Sequence, residues 1–93
     1  MEPTRENVLQ TIYASIDEVN EQRAREEWLD KSPDLALLGP SASLDSLGFV
    51  NLIAIVEEKC ESRFGSAIPM SESYQTAGEL ADLLSRRLSE KAA

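Results

Sequence analysis

The chain has 93 residues with 17 acids, 9 bases and no histidine, for a formal charge of −8. Apolar residues make up 42% and charged residues 28%, the balance of a folded domain rather than a disordered tail. Lack of histidine excludes a Ser-His-Asp triad, a Cys-His dyad and His-ligated zinc. The lone Cys60 excludes an intrachain disulfide, and the acidity opposes binding to phosphate backbones.

This length predicts a single domain over residues 1–93, since domains usually run to about 100–150 residues. Aromatic residues are only 5%, so the small core must be aliphatic. The first helix is predicted over about 4–22, with Thr4 as N-cap and Val8, Ile12, Ile16 and Val19 as its inward line. Leu9 and Tyr13 widen that line. Residues 20–27 are almost wholly polar, so the helix either continues as a solvated end or stops near Gln22. Trp28 and Leu29 then read as apolar packing anchors.

Residues 30–44 read as a loop, because Pro33, Gly39-Pro40 and the Ser41/Ser43 cluster oppose regular structure. Leu35, Leu37, Leu38 and Leu44 are placed to pin it onto the bundle, so an ordered loop is expected. The second helix is predicted over about 46–62, capped by Asp45 or Ser46 and stopped at Arg63-Phe64-Gly65. Ile68-Pro69 starts a new segment, and residues 71–74 can form one short turn. Thr76-Ala77-Gly78-Glu79 fits a capping box for a last helix over about 77–90, with Ala77, Leu80, Leu83, Leu84 and Leu88 inward. No segment alternates as a strand would. The predicted fold class is therefore all-α, a three- to four-helix bundle with a long ordered loop between helices 1 and 2.

Two apolar lines run along the second helix. Phe49, Leu52, Ile53, Val56 and Cys60 form one, the natural core face, with Cys60 read as a buried small apolar residue. Leu47, Val50 and Ala54 form the other, with Glu57, Glu58 and Glu61 near its end. Either the leucine-bearing loop covers this second line, or it is an exposed strip for docking a basic partner. Ser46 stands where free amides and the helix dipole favour a phosphate; on helix physics alone it is equally a simple N-cap.

The sixteen residues 43–58, SLDSLGFVNLIAIVEE, resemble the acyl carrier protein family at its defining site. The match comprises Asp45-Ser46-Leu47, then Gly48-Phe49-Val50, the aliphatic run and the Glu57-Glu58 pair. The amphipathic first helix, the long loop, Ile68-Pro69 and the amphipathic last helix extend the resemblance over nearly the whole chain. It implies an acyl-carrier-type bundle in which Ser46 bears 4′-phosphopantetheine, transferred from coenzyme A by a separate Mg²⁺-dependent phosphopantetheinyl transferase. The serine oxygen would attack phosphorus to give a phosphodiester, and the arm's thiol would carry an acyl group as a thioester. Asp45 and Leu47 would contact the transferase. Val50, Asn51, Ala54, Glu57 and Glu58 would belong to the strip read by acyl-loading and acyl-processing enzymes.

Such a carrier catalyses nothing itself, which agrees with the absence of catalytic groups. Asn51 stands where fatty-acid carriers of the family have an acid. The stretch between Glu58 and Ile68 is longer than usual, with Lys59 and Arg63 adding positive charge, and residues 70–75 are short for the family's third helix. Residues 1–45 hold ten acids and four bases, whereas residues 46–93 hold seven and five. These departures favour a specialised pathway over housekeeping fatty-acid synthesis. An aminoacyl or peptidyl carrier would use the same serine and arm, and an unmodified helical interaction module would use the strip alone. The chain has no apolar run near the ~20 residues of a membrane span and no visible signal peptide. A cytoplasmic monomer is the expectation, with no nucleic-acid or membrane partner.

Overall fold

Thr4 opens the first helix as the sequence predicts. Its backbone is extended and its hydroxyl accepts from the Asn7 amide at 3.1 Å, satisfying one of the orphan donors of the first turn. From there a computed structural model of the chain, which describes residues 2–39, 42, 44–66 and 74–92, gives three α-helices. They are α1 (Arg5–Asn20), α2 (Ser46–Phe64) and α3 (Ala77–Ala92), with a short 3₁₀ turn at Arg25–Glu27. Among the described residues there is no strand. A single antiparallel bridge joins Ala36 to Thr76. The chain is an all-helical bundle. The predicted turn at 71–74, apart from Tyr74, lies outside the described residues, as do Ile68-Pro69 and Pro40, Ser41 and Ser43.

α1 holds the arrangement together, since α2 and α3 each pack against it. Its line of Val8, Ile12, Ile16 and Val19 is buried. α2 meets that line with Leu52, Ile53, Val56 and Cys60, and α3 meets it with Ala77, Leu80, Leu83, Leu84 and Leu88. Outside the core, Lys59 of α2 pairs with Glu18 of α1, and Arg63 donates to the Thr11 hydroxyl at 3.2 Å. On the other flank Arg5 of α1 meets Asp82 of α3 at 2.6 Å.

α1 stops at Asn20, two residues short of its predicted end, and the reason is tertiary. The Asn20 side chain is buried and clamps Leu29, accepting from its amide at 2.8 Å and donating to its carbonyl at 3.1 Å. This draws Leu29 into the core and turns the polar stretch 21–28 outward. Trp28 is therefore not the packing anchor that its size predicts: it is 50% exposed, with the Arg25 guanidinium 5.4 Å from the ring centre.

Further along, residues 33–38 lie across the entry to α3. Pro33 and Leu35 accept from the Gly78 and Ala77 amides at 2.8 and 3.0 Å, and Leu37 donates to the Gln75 carbonyl at 2.7 Å. Two orphan amides of the first turn of α3 are satisfied this way without water. Leu37 is buried, while Leu35 and Leu44 pack partly against the core. Leu38 is a correction: it is 40% exposed and pins nothing.

α2 runs two residues past its predicted end because the stop is Gly65 itself. That glycine adopts the left-handed conformation, with φ of 79°, and donates to the Glu61 carbonyl. α3 also runs further than predicted, to Ala92. At its start Thr76 accepts from the Glu79 amide at 3.2 Å, and Glu79 reaches back to the Gln75 amide at 3.3 Å. The capping box is thus displaced by one residue on its return arm.

Two variants test this packing. Asn20→Ala leaves a buried donor and acceptor of Leu29 unpaired and should cost about 2–4 kcal/mol, read as a lower urea midpoint at unchanged slope. Asn20→Asp, which keeps only the acceptor, should fall between. Cys60 supplies a second measurement. Burial pushes its thiol from 9.0 up to about 11, with Arg63 opposing and Glu57 adding to the rise. The unfolded chain releases this proton before the folded one, so the contribution is complete below pH 9.0 and is lost as pH rises to about 11. Urea unfolding across that window should show a fall of about 2–3 kcal/mol that Cys60→Ala flattens. The buried Tyr74 hydroxyl, also raised by burial and by Glu57, leaves a residual slope of the same sign. An equal slope in both chains would assign the loss to groups other than Cys60.

Candidate functional site

Of the two residues able to cap α2, Asp45 does so. Its backbone is extended, its carboxylate accepts from the Gly48 amide at 2.7 Å, and its carbonyl accepts from Phe49 at 2.9 Å. Ser46 is then the first helical residue. It is exposed, and no hydrogen bond engages its hydroxyl in capping. No acidic residue follows in the first turn, so the positive end of the helix dipole is offset by Asp45 alone. At the other end Arg63 occupies the last turn, the favourable place for a cation.

Gly48 lets the loop close over this turn. A Cβ there would stand 3.1 Å from the Asp45 carboxylate oxygen and 3.1 Å from a Leu44 methyl carbon. Its absence brings Leu44 down beside the helix start. A cleft of about 300 Å³ opens next to Ser46, walled by Leu37, Leu38, Leu44, Phe49 and Val50. A second groove, of about 440 Å³, lies on the other side of Asp45, between the end of α1 and the first turn of α2. The loop leucines carried a sequence signal for the first cleft. Nothing in the sequence singled out the second, because it depends on where α1 ends.

The two apolar lines of α2 have different fates. Leu52, Ile53, Val56 and Cys60 are buried, and Phe49 is half-buried with its ring 6.1 Å from that of Tyr74. Leu47 is 78% exposed and Val50 61% exposed, the two most exposed large apolar side chains among the described residues. Asn51, Ala54 and Glu58 are exposed beside them, whereas Glu57 is half-buried. Its carboxylate is felt by both Cys60 and Tyr74, which sets it nearer the core side of the strip than Glu58. The described part of the loop leaves the second line open to solvent. Lys59 and Arg63, the cations that the sequence added to this helix, are engaged by α1 and stand off the strip.

The structure therefore places Asp45, Ser46, Leu47, Val50, Asn51, Ala54 and Glu58 on one accessible side of α2, with Glu57 at its edge. Comparison with protein-family models, curated proteins and solved structures finds no match to the chain. No helix among the described residues is long and apolar enough to cross a membrane.

Capping and any contact role of Asp45 are separable. Asp45→Ala should destabilise the chain by about 1 kcal/mol, measured by urea unfolding, whereas Asp45→Asn, still an able cap, should lose only a few tenths. Equal losses in the two variants would show that the charge, not the capping bond, sets the stability.

Proposed function

We propose that this chain is a carrier of the acyl-carrier type, with 4′-phosphopantetheine borne on Ser46. The observation that carries the reading is the arrangement around that serine: an exposed hydroxyl at the first position of α2, left free because Asp45 does the capping. The residues present fit the group. First-turn amides and the helix dipole favour a phosphodiester at that hydroxyl. The cleft walled by Leu37, Leu44, Phe49 and Val50 opens directly beside it. When attached, the arm supplies a thiol on which an acyl group is held as a thioester.

Ser46 Oγ would give up its proton to a base of the transferase and bond the phosphorus of coenzyme A, with adenosine 3′,5′-bisphosphate leaving. Asp45 holds the first turn by capping it, which leaves the serine uncommitted. Leu47, Val50 and Ala54 then offer an apolar strip, and Glu58 a carboxylate, to the enzymes that load and process the cargo. The resemblance of residues 43–58 to the acyl carrier family supports the same assignment, and the neutral Asn51 favours a specialised pathway. Acyl cargo is preferred over aminoacyl or peptidyl cargo on the acidity of the chain.

Incubation with coenzyme A, Mg²⁺ and a broad-specificity phosphopantetheinyl transferase should add the mass of one phosphopantetheine, seen by intact-mass spectrometry. Ser46→Ala should block the addition while leaving the far-ultraviolet circular dichroism of the bundle unchanged. No mass change with a transferase active on a control carrier would sink the proposal. The unmodified interaction module would then be the reading left, with the exposed strip as its binding surface.

A further inference from the structure

Two hollows flank Ser46, and they differ in chemistry. The cleft beside it is walled by leucines, Phe49 and Val50, and suits apolar atoms. The groove on the other side of Asp45, about 440 Å³, is polar on both walls. Gln22 and Arg23 line it from the turn that ends α1, and Asp45 and Asn51 from the start of α2, with Val19 and Leu47 as its apolar surfaces. It thus offers two carboxamides, a guanidinium and a carboxylate to one ligand. Arg23 is half-buried, and its Nε donates to the Glu27 carbonyl at 3.0 Å, which orients the guanidinium in advance and leaves its terminal N–H groups to spare. The Asp45 carboxylate spends one oxygen on the Gly48 amide at 2.7 Å and keeps the other. Among the described residues no ion pair joins Arg23 to Asp45.

A ligand that satisfies both walls must accept hydrogen bonds from Arg23 and donate to Asp45. An amide does so with one C=O and one N–H, whereas a carboxylate or an ammonium alone meets only one of the two. 4′-Phosphopantetheine has this chemistry: past its phosphate come a carbon bearing two methyl groups, a hydroxyl and two amides, before the thiol. Ser46 lies between the two hollows, flanked by Asp45 and Leu47, which line the groove. An arm tethered there meets the groove at an effective concentration of about millimolar, so individually weak bonds suffice to hold it. We propose that the arm borne on Ser46 lies in this groove and not in the leucine-walled cleft, with its methyl groups against Leu47 and Val19 and its amides bonded by Arg23, Asp45 and Asn51. This rests on the assignment of Ser46 above and adds where the arm is held.

The test compares the unloaded chain with the chain loaded from coenzyme A by a phosphopantetheinyl transferase, both isotope-labelled, by nuclear magnetic resonance. Loading should shift the Val19 methyl groups, the Arg23 Nε–H and the Asn51 side-chain amide, and the methyl groups of the arm should give cross-relaxation peaks to Val19 and Leu47. Arg23→Ala and Asn51→Ala should each weaken those peaks about threefold while leaving the spectrum of the unloaded bundle dispersed. Peaks from the arm to Leu37, Leu38 or Leu44 would overturn the proposal, as would peaks confined to residues 45–47. Peaks to Val19 of equal strength in both variants would overturn the role given to Arg23 and Asn51. Any of these results leaves the attachment at Ser46 standing. A chain that cannot be loaded by an active transferase would instead overturn the assignment of Ser46, and this inference with it.

Discussion

Both α2 and α3 pack against α1, and the chain has little else to bury them with. A helix in contact with one neighbour covers one stripe of its surface, about 100° wide or somewhat more. α3 obeys this limit, with its apolar residues gathered on the side that meets α1 and its remaining positions mostly exposed and polar. α2 exceeds it. Its sequence carries apolar side chains through most of its first three turns, and the described loop covers only part of them. Leu47 and Val50 are left in water, where each forgoes a transfer free energy of about 1.5–3 kcal/mol. A small bundle with limited stability has reason to avoid such exposure unless another molecule covers it.

Asp45 links this excess to Ser46. Had Ser46 capped the helix, its hydroxyl would have been turned back onto the Gly48 or Phe49 amide. With Asp45 as the cap, the serine falls one residue inside, at a position where nothing within the fold requires an oxygen. The same capping bond requires close approach, and Gly48 allows it by leaving space for the carboxylate and for Leu44. The short run from Leu44 to Phe49 thus fixes three things together: where α2 begins, which side chain is free, and where the cleft opens. On the proposed reading, these are the three requirements of an attachment site.

Local signals made much of this legible in the sequence. The caps at Thr4, Asp45 and Thr76 and the stop at Gly65 depend on residues within four positions of each other, and the spacing of apolar residues identified the buried lines of all three helices. What escaped depends on contacts distant in sequence. The end of α1 is set by Asn20 reaching nine residues ahead to Leu29, and that clamp in turn decides that Leu29 goes inward and Trp28 outward. Size and hydrophobicity would have ranked those two neighbours the other way. The bonds between residues 33–37 and 75–78 are equally invisible to periodicity, since they form between two irregular stretches about forty residues apart. Arg23 gained its place only through the same early stop of α1. Whether the second apolar line of α2 was covered could not be read from its spacing, because spacing describes one helix and coverage depends on its neighbours.

The distribution of charge makes a last constraint plain. Ten of the acids precede Ser46, most of them on α1 and on the turn that follows it, whereas α2 bears only Glu58 and Glu61 exposed and Glu57 half-buried. At physiological salt the field of an exposed charge fades over about 8 Å, so the acids of α1 act on an approaching protein mainly from a distance and weakly. They set the sign of long-range attraction without shaping the contact. Close in, Asn51 contributes no charge to the strip, and the groove at its near end holds Arg23 and Asp45, of opposite sign. On the proposed reading, such a surface attracts basic partners weakly at long range and leaves selection to the contact itself. Selection among partners would then rest on the apolar strip of Leu47, Val50 and Ala54 more than on charge.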